Sequence, residues 1–490
     1  MNGLRWNKAQ SKAIEYAVDK KIPRLLIIGG AGTGKTAVLK EIIRRLQYMG
    51  KDVIAAAPTG VAALNIKSDA FGSGSVGMTI HSLFAIKAKT IEPYPKLLKS
   101  SKEANDVFRY ADTLIIDEIS MIRTDVMEAM MLRIRKSGNR NIQIIFAGDM
   151  LQLAPILEQE EVAKYAASGF DPHNIYFANS KLLAYENFMC VRLTELVRLQ
   201  DKEQPRQETL RILNNLRQHK DITQTVKTIN AQCSRSGVPE TTLTATNDRA
   251  RDINNAELEK LHGNTVTFTA TIIPGTRTLY IDDGDDDGGK SPFISPVKLR
   301  LRPGAKVMIT RNIYSSAEPR ERKLLYANGT MAKIIECVNN VRTGERRITI
   351  LITSGPRKGD LHLLTREQWE KTRYRLDRKT NRIEEEIEYS FIQYPLVHAW
   401  AITVHKSQGL TLQNYAVDLE NKTFARNMAY VALSRAQTLS DVILRSDLTE
   451  EEFEPIPYLY ELNKELKTDK VVNFGRLNQK IMDTLKMANP

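Results

Sequence analysis

Short runs of unbroken apolar residues alternate along the first third of the chain with stretches in which apolar residues recur every three or four positions. Arg24–Ile28 reads as a buried strand, and Gly34–Met49, with Val38, Leu39, Ile42, Ile43 and Leu46, as an amphipathic helix. Val53–Ala57, Thr113–Ile116 and Ile142–Phe146 read as further strands, and Val126–Lys136 as a helix. Strands alternating with helices predict a parallel, doubly wound sheet, whose ligands sit outside the carboxyl ends of its strands. A second alternating stretch runs through Leu243–Thr246, the helix Asp248–Leu261, Ala399–Thr403, Tyr415–Leu419, Phe424–Arg435 and Asp441–Arg445.

Two interruptions break the pattern. Residues 331–394 hold β-rich runs (Ala332–Val338, Arg347–Thr353, Ile387–Ile392) and turn signals such as Thr343-Gly344, which predicts a small β domain inserted in the second α/β domain. Residues 84–107, with Pro93-Tyr94-Pro95 at their middle, are an insertion in the first. The expected division is therefore 1–195, 196–448 and a helical tail 449–490, patterned by Leu459, Leu462 and Leu466.

Composition narrows the partner. Lys and Arg number 71 against 58 Asp and Glu, a formal charge of +13 over 490 residues, which favours a polyanion such as nucleic acid. No apolar run reaches the ~18–20 residues of a membrane span, and Met1–Trp6 lacks the apolar core of a signal peptide. No membrane partner is expected. The expected location is the cytoplasm or nucleoid of a bacterium or phage host, or a nucleus in a eukaryote. Cys190, Cys233 and Cys337 lie far apart, against a disulfide scaffold or zinc knuckle. The acidic run 282–289 matches the start of a calcium loop at Asp283, Asp285, Asp287 and Gly288. Ile294 stands where a bidentate Glu is needed, so a solvated hairpin tip is the expectation.

The chemistry lies at the predicted strand ends. Gly29-Gly30-Ala31-Gly32-Thr33-Gly34-Lys35-Thr36 fits GxxxxGK[ST] between a strand and a helix, where backbone N–H groups and a helix N-terminus cradle phosphates. Lys35 reaches the β and γ phosphates of ATP, and the Thr36 hydroxyl takes Mg²⁺. Leu114-Ile115-Ile116-Asp117-Glu118 supplies Asp117 for the metal side and Glu118 to polarise the attacking water. Gln152, after a third strand end, suits a γ-phosphate sensor. Cations from outside the first domain complete such a site, and Arg198 and Arg435 are candidates.

In chain order, Gly29–Thr36, Ala57-Pro58-Thr59-Gly60, Gly77-Met78-Thr79-Ile80-His81-Ser82, Asp117–Met121, Gly148–Pro155, Thr403-Val404-His405-Lys406-Ser407-Gln408-Gly409 and Tyr430–Arg435 resemble the motifs of superfamily-one helicases. In detail they resemble the petite-integration-frequency (PIF) family of the 5′-to-3′ branch, related to Dda-type and RecD-type helicases, from about Trp6 to Leu448.

The resemblance implies an α/β fold with two RecA-like parallel-sheet domains, a small wedge insertion in the first and a small β-barrel insertion in the second. It implies ATP and Mg²⁺ held between the two domains, and 5′-to-3′ unwinding of duplex DNA from single-stranded and forked DNA, with RNA–DNA hybrids and G-quadruplexes as further substrates. Its roles would be replication, recombination, repair and genome maintenance. It implies a monomer, with dimerisation on DNA left open. By the same resemblance Gln10 reads adenine, and Gly409 lies on the nucleotide side of its motif. Gln152 senses the γ-phosphate, and Arg198 and Arg435 are arginine fingers. Pro58, Thr59, Thr79 and His81 grip the strand in the first domain, and Thr403, His405, Lys406 and Ser407 grip it in the second. Tyr94 is the wedge tip. One departure stands out: Gly138-Asn139-Arg140-Asn141-Ile142-Gln143 keeps only the last two residues of the family's usual Pro-Phe-Gly-Gly-Ile-Gln-like run. The rival readings are an NTPase that remodels without unwinding and a nucleic-acid clamp that only senses ATP.

Overall fold

The computed structural model describes residues 5–30, 32–66, 75–76, 78–87, 94–195, 204–276, 295–315, 323–340, 343–408, 410–419 and 427–488. The chain divides into two compact units: Met1–Lys202 with Lys371–Ile387 and Pro455–Pro490, and Glu203–Glu370 with Glu388–Glu454.

The first unit is built on a seven-stranded sheet. Its order is Val471–Asn473, Asn187–Leu193, Arg24–Gly29, Gln143–Gly148, Thr113–Ile116, Val53–Ala57 and Met78–Thr79. All neighbours are parallel except the edge strand Val471–Asn473, which runs antiparallel to Asn187–Leu193. Both faces are covered, which is why these strands read as unbroken apolar runs rather than alternations. Leu26, Ile28, Ile54, Leu114, Ile116, Ile144 and Phe146 point into one core, and Leu25, Ile27, Val53, Ala55, Ile115 and Ile145 into the other, as the two-residue period of a strand demands. Helices Lys8–Val18 and Lys35–Tyr48 contribute to the second core, and Thr124–Ser137 and Lys102–Tyr110 to the first.

The tail is not the separate extension expected for 449–490. From Pro455 it belongs to the first unit: Leu459, Leu462, Leu466, Phe474 and Ile481 are buried in its core. Arg192, next to the end of its strand, donates from Nε to Leu466 O at 2.9 Å and from Nη2 to Asn463 O, which satisfies carbonyls at the C-terminus of helix Pro457–Glu465. Residues 371–387 join the same unit, where the Tyr374 hydroxyl accepts from Ala55 N at 3.2 Å and Arg373 pairs with Glu103 at 3.1 Å.

The insertion expected over 84–107 is narrower. Phe84 and Phe108 are fully buried with ring centroids 4.6 Å apart, and Val107 is buried beside them, so both flanks are core. Ala85–Lys87 and Leu97–Lys99 pair as a stem (Lys87 N to Leu97 O 3.0 Å, Lys99 N to Ala85 O 2.9 Å), and residues 88–93 between them lie outside the described residues.

The second unit holds a four-stranded parallel sheet in the order Ala401–Thr403, Thr241–Thr244, Tyr415–Asp418 and Val442–Leu444. Its inserted β domain is larger than the expected 331–394. An antiparallel sheet of Leu361–Leu364, Glu345–Ile352, Met331–Asn340, Lys306–Ile309 and Leu396–His398 packs with the pair Val266–Thr269 and Lys298–Leu301 around Phe268, Leu299, Val307 and Ile350. The extra strands are three or four residues each, too short for their alternation to stand out. The acidic run 282–289 lies outside the described residues. Among the described residues no helix is long and apolar enough to cross a membrane.

Candidate nucleotide and nucleic-acid sites

The phosphate loop follows its strand directly. Gly32 (φ 78°) and Gly34 (φ 81°) take left-handed conformations that a side chain would strain, and Gly34 opens the helix Lys35–Tyr48. At Gly29 a Cβ would stand 2.6 Å from Thr33 Oγ1 and 2.8 Å from Leu193 O. The Lys35 ammonium folds back onto the loop, donating to Gly29 O at 2.8 Å and Gly30 O at 3.1 Å. Those carbonyls partner a cation that would otherwise be buried without one. Gln10 accepts from Asn7 N through Oε1 (3.1 Å) in a capping box and donates from Nε2 to Thr33 O (3.0 Å), joining its helix to the loop.

Asp117 ends the Thr113–Ile116 strand and is 4% exposed. Burial raises its pKa, against the Glu118 N–H donated to its Oδ1 at 2.8 Å and the charge of Lys35. Such a carboxylate gains from a nearby cation. With the half-buried Thr36 hydroxyl it fits a magnesium ion, a metal that usually takes one or two protein oxygens and completes its shell with water and phosphate. Among the described residues no cluster of three or more His, Cys, Asp or Glu could form a protein-only metal cage. Glu118 is held at φ 52°, ψ 45°, a left-handed backbone rare for a residue with a side chain and of the kind that concentrates at active sites. Beyond it, Gly148 lets Ile119 come close; a Cβ there would meet Ile119 Cγ2 at 2.8 Å. Gln152 is buried, its N–H donating to Asp149 O at 3.1 Å.

The expected strand-gripping residues of the first unit fall on two adjacent strand ends, because Ala57 is registered against Thr79. The Thr59 hydroxyl accepts from Ala62 N (3.2 Å) and the Thr79 hydroxyl from Ser82 N (3.4 Å), so each starts a short helix and two sets of helix-start N–H groups lie side by side. Pro58 precedes the first of them, half-buried. His81 is half-buried, with its pKa lowered first by burial and then by the Arg123 charge, so at neutral pH it is an uncharged hydrogen-bonding group.

In the second unit the Thr403 hydroxyl accepts from Lys406 N at 3.2 Å. His405 is half-buried and its pKa is lowered by burial, while Lys406 remains exposed. Ser407 departs from the expected strand contact. It is 0% exposed, its hydroxyl donates to Val404 O at 2.8 Å and its carbonyl accepts from Arg435 Nη1 at 3.4 Å, so it braces the turn. Arg435, 4% exposed, also donates to Val431 O at 2.9 Å and to Ser434 Oγ at 2.6 Å. Arg198, Gly409, Ala31 and the Tyr94 side chain lie outside the described residues; the Tyr94 backbone opens the short helix Tyr94–Leu97.

The PIF1-like helicase family model matches residues 6–228. A crystal structure of Bacteroides sp Pif1 in complex with ADP-AlF4 matches at a TM-score of 0.73 and 26% identity, covering 94% of this chain and 97% of that one. Over these spans the chain is similar to the PIF1-like helicases. A Bacteroides Pif1 bound to single-stranded DNA matches at a TM-score of 0.59 and 26% identity, over 92% of this chain and 95% of that one. The ATP-dependent DNA helicase PIF1 of Emericella nidulans is 26% identical over 89% of this chain and 60% of its own length. The chain thus spans less than two thirds of that curated relative.

Three features of the protein were not foreseen from sequence: the left-handed Glu118, the capture of 371–387 and 455–490 by the first unit, and a buried Arg133. Only the tail carried a signal, since its apolar spacing announced a helix without naming the surface that helix covers.

Proposed function

We propose that the protein is an ATP-driven DNA helicase that moves 5′ to 3′ along single-stranded DNA and opens forked duplexes. The observation that supports it most is the convergence of Lys35, Asp117, the strained Glu118 and Gln152 at adjacent strand ends of one parallel sheet. Gln10 orients the adenine. Lys35 exchanges Gly29 O and Gly30 O for the β and γ phosphates, so ATP inherits a place already shaped for a charge pair. Thr36 and Asp117 would hold Mg²⁺, which neutralises phosphate charge when bound. Glu118 takes a proton from the attacking water, and Gln152 relays the state of the γ-phosphate. Arg198 and Arg435 neutralise the transition state, Arg435 by leaving Val431 O and Ser434 Oγ. Pro58, Thr59, Thr79 and His81 grip the strand in the first unit, and Thr403, His405 and Lys406 in the second. These contacts carry no base reading, so the grip tolerates any sequence. Residues 88–96, with Tyr94, act as the wedge.

Lys35→Ala is expected to abolish DNA-stimulated ATP hydrolysis and leave single-strand binding largely intact; retained turnover rejects the assigned phosphate site. Duplexes with a 5′ tail are expected to open, and efficient opening of a substrate with only a 3′ tail rejects the polarity.

A further inference from the structure

Arg133 lies in the third turn of helix Thr124–Ser137, which begins three residues after Met121 and so continues directly from the Asp117–Glu118 segment. It is 2% exposed. Its guanidinium makes three hydrogen bonds to neutral acceptors: Nε to Phe84 O at 3.1 Å, Nη2 to Lys99 O at 2.7 Å, and Nη1 to Asn105 Oδ1 at 2.8 Å. Phe84 is where the chain leaves the core for the insertion, and Lys99 is where its paired stem ends. Asn105 belongs to the helix Lys102–Tyr110 that follows. One side chain therefore ties both ends of the paired stem, and the helix after it, to the helix that continues from Asp117 and Glu118. Burying a cation on neutral acceptors is costly, and a methionine of similar length would fill the same space without that cost. What the guanidinium adds is direction, since its planar fork fixes three partners at once.

We propose that Arg133 is a positioning residue for strand separation, holding the paired segments 85–87 and 97–99 in place on the ATPase core so that force from translocation is delivered to the duplex junction. The proposal rests on the reading of 88–96 as the wedge. In the full chain, Arg133→Met is expected to slow single-turnover unwinding of a 5′-tailed duplex at least ~10-fold while single-strand translocation and DNA-stimulated ATPase stay within about twofold. Arg133→Lys, which keeps the charge without the fork, is expected to fall between. Unwinding at the parent rate, or ATPase and translocation falling in step with unwinding, overturns the proposal. Should Arg133→Met not fold, Asn105→Leu must show the same split in weaker form, and no split there overturns it equally. Replacing residues 88–96 by two glycines separates the two ideas. Normal unwinding by that variant rejects the wedge itself, whereas a defect there beside normal Arg133→Met rejects only the role of Arg133.

Discussion

Phe474 tests whether the segment from Pro455 is part of the first unit or an appendage. Its side chain is 0% exposed and meets Phe177 and Phe188 edge-on, with ring centroids 5.5 and 5.7 Å away. Phe188 stacks in turn on Phe146, 5.1 Å away, in the strand that ends at Gly148. Truncating a buried Phe to Ala costs about 3–5 kcal/mol. The site has little freedom to collapse: at the next residue, Gly475, a Cβ would already stand 2.9 Å from Ala184 Cβ. At about 2–4 °C per kcal/mol for a domain of this size, Phe474→Ala should lower the melting point of the first unit by roughly 6–20 °C. The assay is calorimetry of the full chain, following the transition that a non-hydrolysable ATP analogue raises, since ligand binding marks the unit that holds it. Met487→Ala, on the same helix but 84% exposed, is the control and should leave that transition in place. A midpoint within about 2 °C of the parent for Phe474→Ala would refute the reasoning, because no fully packed aromatic is that cheap to remove.

Other expectations follow from the same geometry. A carboxyl whose pKa is raised on folding holds its proton more tightly in the folded state, so its contribution to stability is present at low pH and is lost as pH rises through the folded pKa. Burial raises Asp117 in this way, so at pH 7 Asp117→Asn should raise the melting point of the nucleotide-free protein while ending ATP turnover; a lower melting point contradicts it. Glu118→Gln should cut turnover by about 10²–10⁴-fold with nucleotide affinity retained, measured by fluorescent-nucleotide titration beside phosphate release. Burial pushes the thiols of Cys190 and Cys233 up to about 12 and that of Cys337 up to about 11. A thiol reagent at pH 8 should therefore modify none of the three in the native protein and all of them in denaturant; rapid native modification would show that one is accessible.

What the sequence reveals and what it hides divide along physical lines. The phosphate loop, Asp117, Glu118 and the parallel strands are written locally: a glycine pattern, a charge at the end of an apolar run, a switch in period. Val53–Ala57 and Thr113–Ile116 fall on their expected residues because both faces of each are covered and no other element type suits four or five consecutive buried positions. Long-range choices leave no such mark. Leu459, Leu462 and Leu466 announce a helix but not the core that receives it. Arg133 looks like any basic residue on an amphipathic helix until Phe84 O and Lys99 O are seen around it. Ser407 sits in a motif that reads as a strand contact, yet the tight turn after Thr403 brings its hydroxyl onto Val404 O. Glu118 adopts a left-handed conformation that no propensity predicts, one residue before Ile119 packs closely on Gly148.

The return of the chain to its first unit at Pro455 has a consequence for synthesis. While the ribosome works through the second unit, the nascent first unit already has its phosphate loop but lacks the edge strand Val471–Asn473, and Phe177 and Phe188 have no Phe474 to pack on. Its maturation awaits residues made only after the whole second unit, so a stop between Glu454 and Val471 would damage a part of the molecule made well before it.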